Sequence, residues 1–255
     1  MTPADENIAP QGCAWLFGCG ASIANGLPWV VPEEWKRELI DEQVTREEHI
    51  CIIKNAIREK MENIPVPCDP YRRILDCMNE RTVDEGYHHL FTTNWDYLLQ
   101  REVDAWVNDN RPGWQPPFLS NSWVYHLNGS VEEGDFQNRS PFMLETDSAY
   151  DRTSSYEANQ AFNKLLWSTL VVIVGMSFEC DTDRGLMGAL KNHEDNCPIG
   201  NAGFIVVDPC REALDKTFGM LAKCFPRAVG CRVNKGLSEW IDDGMTELVG
   251  SIFVT

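Results

Sequence analysis

Several absences narrow the possibilities before any residue is given a role. No apolar run approaches the roughly 20 residues needed to cross a bilayer, and the start MTPADENIAP lacks the basic-then-apolar order of a signal peptide. The chain therefore reads as cytoplasmic, with no membrane as partner. Positive charge is scarce: 22 Lys and Arg stand against 39 Asp and Glu, a formal net charge of -17. Such a field repels phosphate backbones and anionic headgroups, which argues against nucleic acid as a partner. It leaves room for a single nucleotide, because helix N-termini supply donors to a phosphate without needing Lys or Arg. Ten cysteines are present, yet no two have the C-x-x-C spacing that brings thiolates onto one metal, so no metal site and no structural zinc is expected. In a reducing compartment most of them read as small buried hydrophobes, and no disulfide is required. Internal repeats and low-complexity tracts are also missing.

What is present alternates. Short, β-rich apolar runs recur at Ala14 to Phe17, His89 to Thr93, Val124 to Leu127, Leu170 to Val174, Phe204 to Val207 and Ala228 to Val233, with helical stretches between them. This predicts an α/β fold: a Rossmann-like parallel sheet with helices on both faces. The run Leu170 to Val174 is continuously apolar, as a central strand covered on both sides requires. Residues 1–255 read as a single domain, with residues 30–80 as a small helical insertion of lid-like character. Pro32 opens its first helix, with Trp35 and Leu39 on one face. Thr45 followed by Glu48 is a capping-box pattern for the second, whose Ile50, Ile53, Ile57 and Met61 share a face. Further helices are expected from Ser154 to Trp167 and over Leu237, Trp240, Ile241, Met245 and Leu248.

The first candidate site is Gly18-Cys19-Gly20-Ala21-Ser22, which follows Trp15-Leu16-Phe17 directly. Glycines at the end of a first strand let backbone N–H groups approach a diphosphate. A dehydrogenase fingerprint would need a third glycine where Ile23 stands, so the G-x-G-x-x-G pattern fails. The next glycine is Gly26, followed by Pro28. A purely structural tight turn fits these residues as well. The second is Phe91-Thr92-Thr93-Asn94-Trp95-Asp96, which carries an amide and a carboxylate from a strand into a helix start; helix capping is the bland alternative.

These landmarks in order, G-x-G-A-S with a following G-x-P, then T-T-N-x-D-x-L-L, then a strand ending in L-x-G-S, then an apolar strand ending in G-x-S, resemble the bacterial sirtuin-like domains. The resemblance runs from about Cys13 to about Asp208, with no motif to match between Pro32 and Asn79. It implies NAD or an ADP-ribose-type nucleotide as the bound partner. It places the diphosphate on Gly18 to Ser22, the nicotinamide ribose near Ala21, Ser22 and Pro28, and Asn94 and Asp96 beside the nicotinamide and its ribose, with Thr93 among the cofactor-binding residues. Gly175 and Ser177 would bind phosphate or ribose. Asp208 would meet the adenosine, although capping the helix after Pro209 suits it equally. A carboxylate and fixed dipoles near the ribose suit an oxocarbenium-like state in which the nicotinamide bond breaks.

Two departures bear on activity. In Tyr125-His126-Leu127-Asn128-Gly129-Ser130 the position that the family usually gives to a catalytic histidine is Asn128, and an amide does not accept a proton. His126 lies on the same strand face about 7 Å further back, as a substitute base or a structural histidine. His88 and His89 are weaker candidates, and His49 and His193 read as surface helix residues. The zinc ribbon of the deacetylases is also missing. The resemblance then implies an NAD glycohydrolase releasing nicotinamide and ADP-ribose, of the kind used against phage. A non-catalytic NAD or ADP-ribose sensor, and NAD-dependent deacylation or ADP-ribosyl transfer, are the alternatives. Regulation would come from self-association or a partner chain. Trp29, Trp95, Trp114 and Trp123 could line an aromatic pocket, though core packing is the commoner role.

Overall fold

The computed structural model describes residues 12–28, 44–85, 87–110, 116–120, 123–132, 142–144, 164–165, 168, 170–196, 203–226 and 228–248, with backbone alone for 81–85 and 189–196. The six apolar runs form six strands: β1 (Cys13–Phe17), β2 (His88–Thr92), β3 (Tyr125–His126), β4 (Leu170–Val174), β5 (Gly203–Val207) and β6 (Val229–Val233). They make one sheet in the order β3-β2-β1-β4-β5-β6, and every neighbouring pair is parallel. The chain winds outward from β1 to β3, then returns to the middle at β4 and winds the other way. The fold is thus a Rossmann-like α/β sheet, and its order reverses between β1 and β4.

Alternate residues of each strand feed two cores. Cys13, Trp15 and Phe17 join Leu90, Val172, Val174, Ile205 and Val207 on one face. Ala14 and Leu16 join Phe91, Ile173, Phe204 and Val206 on the other. With both faces covered, a strand gains from an apolar residue at every position, which is why Leu170 to Val174 has no polar member.

The helices are α1 (Cys19–Ala24), α2 (Arg46–Glu62), α3 (Asp69–Glu85), α4 (Leu98–Asn110), α5 (Asp181–Asn196), α6 (Arg211–Cys224) and α7 (Leu237–Asp242). The expected capping box opens α2: the Thr45 hydroxyl accepts from the Glu48 amide, and the Glu48 carboxylate accepts from the Thr45 amide at 2.8 Å. Ile53, Ile57 and Met61 of α2, and Tyr71, Ile74, Leu75 and Met78 of α3, are buried in the first core together with the sheet residues. Consecutive residues of α4 hold this helical pair by opposite charge. Arg101 donates to the carbonyls of Met61 (3.2 Å) and Ile64 (2.9 Å), at the end of α2. The fully buried carboxylate of Glu102 accepts from the Cys68 amide at 2.7 Å, at the start of α3, and from Arg72 at 3.3 Å. A cation on terminal carbonyls and an anion on leading amides complement both helix dipoles.

Three sequence expectations change. The C-terminal helix stops at Asp242, because Gly244 (φ 75°) and Met245 (φ 48°) turn left-handed, although Met245 and Leu248 are still buried. His49 is buried rather than on the surface. Of the nine cysteines among the described residues only Cys13 and Cys68 are fully buried, and none forms a disulfide. The expected helix at Pro32 with Trp35 and Leu39, most of that from Ser154 to Trp167, the His193 side chain, Trp29 and Trp114 lie outside the described residues. No helix among those described is long and apolar enough to cross a membrane.

Where the sheet order reverses, two backbone turns interlock. Gly18 donates to the Val174 carbonyl and Gly20 to the Gly175 carbonyl, both at 2.9 Å, while Gly175 donates to Val207. A Cβ on Gly18 would lie 2.6 Å from the Gly175 oxygen, and one on Gly175 would lie 2.6 Å from the Ala21 nitrogen. Gly175 also has φ 61°, where a side chain is strained. Gly175→Ala is therefore expected to destabilise the fold by about 2 kcal/mol or more, measured by denaturant unfolding. An unchanged midpoint would show that the two turns separate freely.

Candidate functional site

A cavity of about 300 Å³ opens beyond the carboxyl ends of the central strands, over the point where the sheet order reverses. Every one of the first four strands contributes to it. Cys19, Ser22, Ile23, Leu27 and Pro28 come from the stretch after β1, Thr93 to Asp96 from that after β2, and Asn128 from that after β3. Met176, Ser177, Glu179, Cys180, Thr182 and Asp183 follow β4, and Ile57 of α2 adds an apolar wall. Open α/β sheets bind ligands in this crevice, because two neighbouring crossovers leave in opposite directions and part there.

A buried polar network forms the floor. Asn94 donates from Nδ2 to the Gly18 carbonyl (2.9 Å) and to Ser22 Oγ (2.7 Å). Ser22 passes its own proton on to Asp96 Oδ2 at 2.7 Å. Its hydroxyl also lies 3.4 Å from the buried Tyr71 hydroxyl. Asn25 ties the same helices from the other end, donating to the Ala21 carbonyl and accepting from the Tyr71 amide. The second oxygen of Asp96 accepts from the Leu98 amide at 3.0 Å, so this carboxylate both caps α4 and faces the cavity. Asn94 caps nothing through its side chain; it braces the β1–α1 turn. Burial pushes the Asp96 carboxyl above its usual value, opposed by the hydrogen bonds from Ser22 and the Leu98 amide. Burial likewise drives the Tyr71 hydroxyl well up, with the Asp96 charge adding to the effect.

Asn128, 4% exposed, lines the cavity from the stretch after β3. Its Nδ2 donates to Asp183 Oδ1 at 3.3 Å, and its buried Oδ1 has no hydrogen-bond partner among the described residues. Trp95 stacks on Phe142 at 5.2 Å, and its buried Nε1 is likewise unpartnered there. The described lining holds Asp96, Glu179 and Asp183 but no Lys, Arg or His. Among the described residues no three of His, Cys, Asp and Glu are arranged to hold a metal ion.

The sequence candidates divide accordingly. Cys19, Ser22, Pro28, Thr93, Asn94, Asp96, Asn128 and Ser177 line one cavity. Gly18, Gly20, Ala21 and Gly175 lie beneath it as the interlocked turns. The amides of Gly18 and Gly20 were expected to face a diphosphate, but they donate within the sheet ends instead, because only glycine lets those backbones meet. His126 does not line the cavity; it is buried behind it, its ring stacked on Tyr97 at 5.7 Å. His88 accepts from Trp15 Nε1, and His89 lies 2.5 Å from the Ser120 hydroxyl, so both are engaged away from the cavity. Asp208 lies outside the lining; its carboxylate accepts from the amide of Cys210, the residue that leads into α6, at 2.8 Å, and α6 has no side-chain cap. Trp123 is exposed, and among the described residues Trp95 is the tryptophan that lines the site. Glu179, Cys180, Thr182 and Asp183 were missed. Their signal was the G-x-S strand end itself, since whatever follows such a turn also faces the crevice.

No protein-family model and no curated protein sequence matches the chain. Solved structures do match in shape. One, from work on the structural basis of sirtuin substrate affinity, covers 94% of this chain and 95% of its own at a TM-score of 0.51 and 14% identity. Another, a Sir2 mutant with a p53 peptide and NAD, covers 94% of each chain at a TM-score of 0.46 and 14% identity.

The raised Asp96 carboxyl makes a stability prediction. The folded protein holds this proton more firmly than the unfolded chain does, so Asp96 costs stability as pH rises from the ordinary carboxylate value through the raised one. Asp96→Asn, which removes that ionisation, is expected to keep or raise the melting temperature at pH 7 and to leave it unchanged at pH 3.5. A melting temperature that falls at pH 7 but not at pH 3.5 would show that the ionised form is the stabilised one.

Proposed function

We propose, for a chain with a sirtuin-like fold, that this cavity binds the nicotinamide–ribose end of NAD and that the protein cleaves it to nicotinamide and ADP-ribose. The observation that carries the reading is the Asn94–Ser22–Asp96 network, a fixed amide and a buried carboxylate meeting in the crevice of a reversed parallel sheet. A volume of about 300 Å³ stands at the small end of ligand sites, which suits one end of a dinucleotide. The Asp96 carboxylate, whose hydrogen-bond partners are a hydroxyl and a backbone amide, favours a ligand part that is positive or becomes so. The pyridinium of NAD and the oxocarbenium ion left when its glycosidic bond breaks both meet that condition.

In this reading the electron pair of the breaking bond leaves with nicotinamide, the ribose carbon becomes positive, and water adds to it. The water's proton needs an acceptor, and a carboxylate whose proton affinity is raised by burial is a better base than an exposed one. Asp96 fills that role, while Ser22 and Asn94 hold it in place. Cys19, Pro28, Thr93 and Ser177 complete the walls. The diphosphate lies over the β1–α1 turn, and the adenosine end extends toward β5 and Asp208. NAD depletion is then the output, the mode that the sequence resemblance implies for defence against phage.

A non-catalytic NAD or ADP-ribose sensor is the second reading, favoured by Asn128 where a base would be needed and by a described lining without histidine. Incubating the protein with NAD and quantifying nicotinamide separates the two. Release is expected from the wild type, lowered at least 100-fold in Asp96→Asn and about tenfold or more in Asn94→Ala. Tight binding with NAD recovered intact would establish the sensor instead, and release unaffected by Asp96→Asn would remove the proposed base.

A further inference from the structure

We propose that Tyr71 of α3 is a positioning residue for Asp96: by donating to Ser22 it leaves the one proton of that serine on the carboxylate. The inference deepens the cleavage reading above, in which Asp96 takes the proton of the attacking water.

A count of donors and acceptors gives the direction of the chain. A serine hydroxyl has one hydrogen and two lone pairs. Asn94 Nδ2 occupies one lone pair of Ser22 at 2.7 Å, and its other bond, to the Gly18 carbonyl, fixes the nitrogen end of the amide on this side. The hydrogen lies on the 2.7 Å contact to Asp96 Oδ2. What remains for Tyr71, whose hydroxyl stands 3.4 Å away, is the second lone pair, so the tyrosine donates. Were Asp96 protonated on that oxygen, the serine hydrogen would have to turn toward Tyr71. The tyrosine hydrogen would then be stranded, since Ser22 is the partner of that hydroxyl among the described residues. Tyr71 thus favours the ionised carboxylate at one remove.

The tyrosine is also fixed independently of its hydroxyl. Its ring meets Phe17, at the end of β1, edge-on at 5.6 Å. Its amide donates to Asn25 Oδ1 at 3.0 Å, and Asn25 Nδ2 donates to the Ala21 carbonyl at 2.8 Å. The residue is 1% exposed, so water does not compete for the hydroxyl. Other titratable groups act on this chain: Arg101 of α4, whose charge favours ionised Asp96, Cys68 before α3, and Cys19 of α1 beside Tyr71. Tyr71→Phe removes one oxygen and leaves the ring, the amide bond and these groups.

Carbon-13 NMR titration of the Asp96 carboxyl, assigned by its loss in Asp96→Asn, tests this without a ligand. The midpoint is expected to move to higher pH in Tyr71→Phe, whereas in a Ser22→Ala background the same substitution is expected to move nothing further. Nicotinamide release from NAD is the second readout. On the acid side of the Asp96 midpoint, Tyr71→Phe is expected to lower release about threefold, and progressively less as the pH rises. The factor is small because the contact is long. Coincident midpoints in the wild type and Tyr71→Phe would overturn the proposal. An equal shift in the Ser22→Ala background would do so too, because Tyr71 would then act on Asp96 without the serine. Release lowered by one factor at every pH would overturn it in favour of a purely structural tyrosine. If the wild type releases no nicotinamide, the cleavage reading fails, and the titration still decides whether Tyr71 positions Asp96.

Discussion

The molecule depends on one contact between backbones. At the centre of the sheet the exit of β1 lies directly on the exit of β4, with Gly18 and Gly20 against Gly175 and no space for a Cβ on any of them. That contact fixes where α1 begins, and therefore where Ser22 stands. Ser22 in turn receives Asn94 from the stretch after β2 and donates to Asp96 two residues later. Backbone packing between two turns thus sets the position of a polar network supplied by a third segment.

The network is costly to bury and correspondingly well connected. Asp96 is taken out of water without an adjacent cation among its hydrogen-bond partners; a serine hydroxyl and a helix-capping amide support it instead. Such support holds the carboxylate in place without neutralising it, which is why burial still raises its proton affinity. The packing charges are handled differently. Glu102, equally buried, has Arg72 and a helix start to satisfy it, and lies away from the cavity. The contrast separates a carboxylate that holds helices together from one that lines the cavity.

The glycine turn departs from the sequence expectation in what its glycines do. Its residues do sit at the crevice, yet Gly18 and Gly20 donate to neighbouring strand ends rather than outward. Their lack of a side chain serves close packing, while Cys19 and Ser22 face the cavity. His126 is a parallel case: the register placed it on the face of Asn128, but two residues along a strand is enough to move a side chain from the crevice into the core behind Tyr97.

The six strands, the capping box at Thr45 and the T-T-N-x-D segment were legible from local pattern alone, because strand periodicity, caps and turn glycines are properties of neighbouring residues. The break of the last helix at Gly244 was not, since apolar spacing continued through it to Leu248. Nor was the grouping of Asp183 with Asn128, 55 residues apart, or the loss of Asp208 and His126 from the cavity. Those depend on which strand ends become neighbours when the sheet order reverses. The sequence by itself determined which segments end in chemistry-bearing turns; tertiary structure decided which of those turns meet, because only a closed backbone contact at β1 and β4 sets distances between residues remote in the chain.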